Sequence, residues 1–516
     1  MRIGIDVGGT HTDAVLMDGA EVIAATKALT SRNVTDGILE ALETILGTGD
    51  VAEAAIEAVM LGTTQFTNAV VERRELADVA AVRIGLPSGR GLPPKVGWPD
   101  DIDAALGGAT YLLAGGRLYD GRELAPFDEE EAAKVVDDIA ARGIGAVAIT
   151  SAFSPMDSVP EQTLAERLRR RIPGIRITES HRLGRLGLLE RENAALLNSA
   201  LLPFADRVVD SFSAALAARG LVCPFFVSQN DGTLMDAGFV RRYPALTFAS
   251  GPTNSLRGAA RLTGLENAIV VDVGGTTSDI GVLQDGFPRE SNIVIEVGGV
   301  RTNFRMPDIL AIGLGGGSLV SDDGNTVGPR SVGHRLVTEG RVFGGNTLTA
   351  TDVVVAAGLA DIGDPVRVAG LDADTVTQGL ATIMAMLNAG IERMKPSSEP
   401  LPVVLVGGGA LLVTQKPAAA AALHRPEHAG VANAIGAAIA QIGGEAERLV
   451  SYRELPRPDA IAAVSRDATE LAVAAGARRE TIRIADIEET PLSYMEEGST
   501  RLRVKAVGDI AALESA

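Results

Sequence analysis

Two short stretches of this 516-residue chain carry the same set of reactive side chains. In GIDVGGTHTDAVL, residues 4 to 16, Asp6 ends a β-branched run, Gly8 and Gly9 follow, then Thr10, His11, Thr12 and a second carboxylate, Asp13. In VDVGGTTSDIGVL, residues 271 to 283, Asp272, Gly274, Gly275, Thr276, Thr277, Ser278 and Asp279 repeat that order. Glycines admit positive φ and let backbone N–H groups close on an anion, and the hydroxyls add donors for phosphate oxygens. Carboxylates repel phosphate, so the roles left to them are holding Mg²⁺ through water or orienting an attacking group. A single Gly-Gly turn between strands reads as an ordinary hairpin. Two copies separated by about half the chain point instead to two related lobes that face each other and grip one polyphosphate from both sides. A cleft between such lobes can close and exclude water.

The composition limits what else the chain can be. At 516 residues it is too long for one core. With 46% hydrophobic residues, 22% charged residues and 59 glycines it reads as a packed globular enzyme. A net charge of -19 argues against a nucleic-acid partner, which needs clustered Lys and Arg. Cys223 is the single cysteine, so an internal disulfide and a multi-thiolate zinc site are both excluded, and a reducing cytoplasm is the expected compartment. No basic run followed by an apolar stretch opens the sequence, and no uninterrupted apolar segment approaches the roughly 20 residues of a membrane span.

The elements that must hold the two hairpins follow from periodicity. Strands are expected over residues 2 to 7, 12 to 18, 79 to 84, 145 to 150, 223 to 228, 268 to 273 and 402 to 409. Helices are expected near 34 to 46, 128 to 142, 158 to 171, 349 to 359, 372 to 394 and, rich in alanine, 430 to 444. From Leu188 to Gly220 apolar residues fall at helical spacing, with Pro203 placed to kink or split the helix, and this stretch reads as the crossing between lobes. The Gly/Pro-rich run 85 to 99 is a surface loop, either a lid or a plain connection. Beyond Tyr452 a helix and two strands read as a small appendage leaning on the rest. The division is therefore 1–190, 191–450 and 451–516.

The paired hairpins resemble the phosphate motifs of the superfamily that contains actin, sugar kinases and heat-shock ATPases, and VVLVGGGALLV, 403 to 413, resembles its adenosine motif. GVANAIGAAIA resembles its late connecting helix. More narrowly, those hairpins together with LGTTQFTNAVVER, LLERENAALLNSALLP, FASGPTNSLRGAA and DILAIGLGGGSLV resemble, in order, the hydantoinase/oxoprolinase A family over most of residues 1 to 450. The resemblance implies an α/β fold of two ribonuclease-H-like lobes around a nucleotide cleft, with ATP and Mg²⁺ as cofactors. It also implies an ATP-dependent enzyme or subunit that opens lactam or hydantoin rings, or activates ketones for carboxylation, alongside a second subunit. On that basis Asp6 and Asp272 are expected in the Mg²⁺ and water shell, and Asp13 or Asp279 orients Mg²⁺ or a nucleophile. Gly8, Gly9, Thr10, Thr12, Gly274, Gly275, Thr276, Thr277, Gly315, Gly316, Gly407 and Gly408 are expected to contact the nucleotide. His11 stands where many relatives carry Phe, and no fused second catalytic region is visible.

Other residues have plainer readings beside the functional ones. Thr63, Thr64 and Asn68 serve either to cap a helix or to bind substrate, and Asn230 and Asp231 either build a turn or line the cleft. The run 313 to 318 is either a ligand-facing loop or a connector, and the family resemblance favours the first. His181 and His334 stand apart from the other histidines, and His424 and His428 form a surface pair interrupted by Pro426. Cys223 reads as buried filler. Two other functions fit the same hairpins: a sugar-type small-molecule kinase, and a non-enzymatic actin-like assembly factor with an ATP-driven conformational output.

Overall fold

The computed structural model describes residues 1–8, 11–29, 34–49, 52–184, 186–291, 294–492 and 499–511. Its strands alternate with helices in the manner of an α/β protein. The strand Arg2–Val7 pairs antiparallel with His11–Asp18, which pairs antiparallel with Glu21–Leu29. On its other side Arg2–Val7 runs parallel to Ala58–Thr63, and that strand runs parallel to Phe225–Ser228. The second hairpin repeats this plan. Ala268–Val273 pairs antiparallel with Ser278–Gln284 and parallel with Val403–Val406, which runs parallel to Leu423–His424. Both sheets thus have the ribonuclease-H-like order, three antiparallel strands with the first flanked by parallel ones. Strands buried on both faces, such as Ala58–Thr63 and Ala268–Val273, read as continuous apolar runs because helices cover each side.

The first sheet continues past the ribonuclease-H-like unit. Thr233–Asp236 joins Phe225–Ser228, and Gln441–Ser451 joins Thr233–Asp236 in parallel. The C-terminal strands Ser499–Gly508 and Arg483–Pro491 then extend it to nine strands. The α+β segment expected beyond Tyr452 is present as these strands and the helix Arg457–Ala474, and its sheet is one with that of the first lobe. A separate four-stranded parallel sheet is built from Val79–Leu86, Thr110–Ala114, Ala146–Ser151 and Arg176–Glu179.

Leu188–Ala218 is one unbroken helix that packs on this smaller sheet, with Pro203 inside it. Proline removes one intrahelical bond, at about 3 kcal/mol. The run Arg191–Leu202 is buried throughout, and that packing outweighs the loss. The Ala-rich helix is shorter than its composition predicts: it spans Ala432–Ala438, and a strand begins at Gln441. Backbone proximity explains the switch, since a Cβ on Gly444 would stand 2.2 Å from Ala472 N, so the glycines serve strand-to-helix packing rather than a longer helix. The loop 85 to 99 is fastened down: Arg83, paired with Glu192, donates to the carbonyl of Leu92, and Trp98 Nε1 donates to Asn193 Oδ1 at 2.9 Å. Among the described residues no helix is long and apolar enough to cross a membrane.

Candidate active site between two hairpins

The strand register sets the carboxylates. Asp6 lies opposite Asp13 across the first hairpin, and Asp272 opposite Asp279 across the second. The two turns close alike: Gly8 N–H donates to the carbonyl of His11 at 3.0 Å, and Gly274 N–H to that of Thr277 at 2.9 Å. Gly9 and Thr10 lie outside the described residues. Thr276 and Thr277 are exposed at the second turn, where their hydroxyls can meet a ligand. Thr12 and its counterpart Ser278 are fully buried, and Ser278 Oγ donates to the Leu314 carbonyl at 2.6 Å.

One helix ties the hairpins together. Ser250–Thr263 begins beside Thr64 and places Asn254 Nδ2 3.4 Å from Asp6 Oδ1, while Ser255 Oγ donates to Asp272 Oδ2 at 2.5 Å. From the helix Ala432–Ala438, Asn433 Nδ2 donates to the other oxygen of Asp6 at 3.0 Å. The two helices touch backbone to backbone. A Cβ on Gly258 would meet Ala432 O at 1.8 Å, and one on Gly436 would meet Asn254 O at 1.9 Å. Glycine beside the carboxylates is likewise required, since a Cβ on Gly62 would lie 2.1 Å from Asp6 Oδ1 and one on Gly407 2.2 Å from Asp272 Oδ1.

Four carboxylates share this small space, and their acidities show it. Burial, with Asp13 and then Asp272 adding repulsion, pushes the Asp6 carboxyl up to about 7. Burial and the charge of Asp272 raise Asp279 to about 7, and burial also raises Asp272. Asn254 and Ser255, adjacent on one helix, bring the Asp6 and Asp272 ends of the two hairpins together. Asp13 differs from its counterpart, for Lys27 Nζ on the third strand lies 2.5 Å from its Oδ1, whereas Asp279 stands opposite Ala311. Burial and Lys27 also lower the His11 imidazole.

The remaining sequence-expected residues divide between the cleft and its supports. Gly316 and Gly317 donate their N–H groups to the carbonyls of Gly274 and Gly275 at 3.0 and 2.7 Å, and Gly315 N–H goes to Ser318 Oγ at 2.8 Å. Gly315 and Gly316 are thus buried behind the second turn and hold its backbone. Gly407 packs on Asp272, and Gly408 is exposed with open space where a Cβ would be. Thr63 is buried and accepts from Gln65 N–H at 3.2 Å; Thr64 donates to the Val7 carbonyl at 3.3 Å, and Asn68 is exposed beside it. Asn230 and Asp231 are not at the hairpins but line a separate cavity. Sequence reading singled out none of Asn254, Ser255, Asn433 and Lys27, although the first three lie within FASGPTNSLRGAA and GVANAIGAAIA, two of the stretches that carry the resemblance.

Oxygen-rich, carboxylate-lined and partly buried, the site suits a hard divalent cation. Asn254 Oδ1 is buried beside Asp6 without a partner among the described residues, which fits an acceptor awaiting a hydrated ion. No group of three or more acidic, His or Cys side chains among the described residues is placed to hold a metal directly.

Residues 2–172 match the hydantoinase/oxoprolinase N-terminal region, and residues 191–395 match the hydantoinase/oxoprolinase domain. The chain belongs to the hydantoinase/oxoprolinase family. Within it, the chain is 26% identical over 461 residues to the caprolactamase subunit alpha of Pseudomonas jessenii, covering 79% of this chain and 65% of that one. It is also 26% identical over 399 residues to the acetophenone carboxylase gamma subunit of Aromatoleum aromaticum, covering 69% of this chain and 53% of that one. The chain thus spans between about half and two thirds of the length of these curated relatives. Among solved structures, the ATP-dependent caprolactamase of Pseudomonas jessenii superposes with a TM-score of 0.75 at 20% identity, over 99% of this chain and 88% of that one. A nucleotide-free acetone carboxylase superposes with a TM-score of 0.67 at 18% identity, again over 99% and 88%. These likenesses establish the hydantoinase/oxoprolinase fold across the chain.

Proposed function

We propose that the chain is the ATP-using component of an enzyme that activates the carbonyl of a cyclic amide, a hydantoin or a lactam, for ring opening. The observation that carries this reading is that the adjacent residues Asn254 and Ser255 of one helix bond Asp6 and Asp272, which brings the strand-end carboxylates of the two hairpins together. The names of the relatives, a caprolactamase subunit and an ATP-dependent caprolactamase, support the substrate class.

Amide resonance makes a ring carbonyl a poor electrophile. Transfer of the γ-phosphoryl group to the carbonyl oxygen breaks the bond to the ADP oxygen and forms an imidate-like phosphate. Water then adds at the carbon, the ring C–N bond breaks with the proton passing to nitrogen, and the resulting acyl phosphate is hydrolysed by a second water to carboxylate and phosphate. For the transfer itself the protein needs mainly position and charge neutralisation. Thr276, Thr277 and the turn backbones would hold the phosphates. Asp6 and Asp272, kept in place by Asn254, Asn433 and Ser255, would hold the water shell of Mg²⁺, which when bound neutralises phosphate charge. Asp13 or Asp279 would orient that shell or the nucleophile.

The relatives are named as subunits, and a second subunit that completes hydrolysis is part of this proposal. The acetophenone carboxylase relative favours one further reading, in which the activated carbonyl is a ketone. The test is ADP release by the purified chain with Mg·ATP across hydantoins, lactams, ketones with bicarbonate, sugars and small acids. Stimulation by a cyclic amide supports the proposal; stimulation by a hydroxyl compound with a stable phosphate product replaces it with a kinase.

A further inference from the structure

A cavity lies apart from the two hairpins. It encloses about 830 Å³ and lies among the small parallel sheet, the extended first sheet and the segment Asn303–Arg305. That volume is in the range of small-molecule sites. Its floor is the turn after Phe225–Ser228, a strand parallel to Ala58–Thr63 and, through it, to Arg2–Val7. That turn lies at the same end of the parallel strands as the turn after Arg2–Val7, two strands away, roughly 10 Å at ordinary strand spacing. Open α/β sheets bind ligands at that end.

Two features make this a built site. The first is an oriented histidine. His181 Nδ1 lies 2.7 Å from Oε2 of Glu161, a fully buried carboxylate that also accepts from Ser180 Oγ at 2.6 Å, Ser151 N–H at 2.8 Å and His181 N–H at 3.1 Å. Glu161 thereby fixes the imidazole, and Nε2, 3.9 Å from Glu179 Oε2, is the nitrogen left to a ligand. A base held by a third group is the arrangement that acid–base chemistry and precise ligand orientation both need. The second feature is Asn230, only 4% exposed and on the cavity wall, whose Nδ2 has no hydrogen-bond partner among the described residues. A buried amide left unpaired costs free energy, so its presence points to a ligand.

The charges around the cavity say which ligand. Lys505 is paired with Asp231 at 2.8 Å, Arg305 with Glu445 at 3.1 Å, Arg448 with Asp467, and Arg182 with Glu179 at 3.6 Å. Each cation already has its carboxylate, so an anionic ligand would enter with no counter-charge to meet it. An uncharged compound with a donor and an acceptor on one edge suits the site, and a ring amide, locked cis, presents its N–H and C=O on one edge, the complement of a carboxamide.

We propose that this cavity is where the ring compound binds, its amide edge meeting Asn230 beside the Glu161-held His181, and that the cavity selects uncharged rings over anionic ones. This rests on the cyclic-amide reading above and adds the location and the selectivity. The experiment is calorimetric binding of hydantoin, ε-caprolactam and 5-oxoproline to the whole chain, with ADP release measured in parallel, for wild type, Asn230→Ala and His181→Gln. The expected result is that a neutral ring binds, that 5-oxoproline binds at least tenfold more weakly, and that each variant raises the Kd and KM for the ring about tenfold. The KM for ATP and the melting temperature of Asn230→Ala stay at wild-type values. Equal ring binding by wild type and both variants overturns the cavity assignment while leaving the functional reading in place. Ring binding that is lost in Asn230→Ala but never stimulates ADP release keeps the cavity and overturns the functional reading. Failure of every ring to bind, or preference for 5-oxoproline, overturns the proposal.

Discussion

Asn254 and Ser255 are neighbours on one helix, yet they serve opposite hairpins, the first donating to Asp6 at 3.4 Å and the second to Asp272 at 2.5 Å. The hairpins of both lobes are thus positioned by a single helical segment. Ser255→Ala removes a donor from a carboxylate that burial already disfavours as an anion. Hydrogen bonds to charged groups are worth about 1.5–3 kcal/mol, and a loss of that order in urea unfolding is expected, with weaker Mg·ATP binding in the same variant. Unchanged nucleotide affinity would count against the bridging role.

The two hairpin aspartates are expected to respond differently to the same substitution. Asp13→Asn leaves Lys27 beside a neutral group, whereas Asp279 has no cation beside it among the described residues and is pressed by Asp272. Asp279→Asn should therefore match or exceed wild type in thermal unfolding at pH 8 while lowering ring-stimulated ADP release by about 10²-fold or more. Asp13→Asn should lose both stability and turnover.

Close helix contact at the cleft gives a steric prediction. Alanine at Gly436 would drive its Cβ to 1.9 Å from Asn254 O, so the helix that carries Asn254 must shift. Overpacking of this kind costs about 1–3 kcal/mol, and the displacement should also impair nucleotide binding. Gly430→Ala, with nothing within 4 Å of the added atom, is the control expected to behave as wild type.

Glu161 provides a pH test. Burial pushes its carboxyl up, but the hydrogen bonds from His181 and Ser180 outweigh that and hold it below its ordinary 4.5. A carboxyl lowered in the folded state binds fewer protons there than in the unfolded chain. Its stabilisation is therefore complete above pH 4.5 and is lost as pH falls through the folded-state value. Glu161→Gln should cost about 3 kcal/mol at neutral pH and flatten the acid limb of a melting-temperature profile below pH 5. An unchanged acid limb would show that the pair with His181 is not formed in solution.

The hairpins were legible in the sequence because a repeated Asp-Val-Gly-Gly pattern is local chemistry; two related lobes followed from finding it twice, and their ribonuclease-H-like fold from the family resemblance. The supports were not. Asn254, Ser255 and Asn433 become meaningful only when two helices far apart in the chain cross at Gly258 and Gly436, and a single sequence does not show that crossing. The run 313 to 318 reads as a ligand-facing loop or a connector because glycine density marks close approach, and Gly316 and Gly317 within it approach the backbone of the second turn. The lobe boundary expected at 190/191 falls just after the start of Leu188–Ala218, and the sheet of the first hairpin runs on through Phe225–Ser228 and Gln441–Ser451. Pairing between strands so distant in sequence leaves no local signature. His181 looked like a dispersed histidine because its partner, Glu161, sits on another element.

The position of Gln441–Ser451 in the nine-stranded sheet also governs the order in which the protein can be finished on the ribosome. Thr233–Asp236 is synthesised long before the strand that covers its free side, and the whole of the second hairpin's sheet, Ala268–Val273 through Leu423–His424, emerges in between. Until Gln441–Ser451 arrives, the nascent first lobe carries an uncapped strand edge of the kind that invites pairing with other chains. A translation product that stops short of this strand would therefore be a candidate for chaperone capture or aggregation even with its second lobe fully formed.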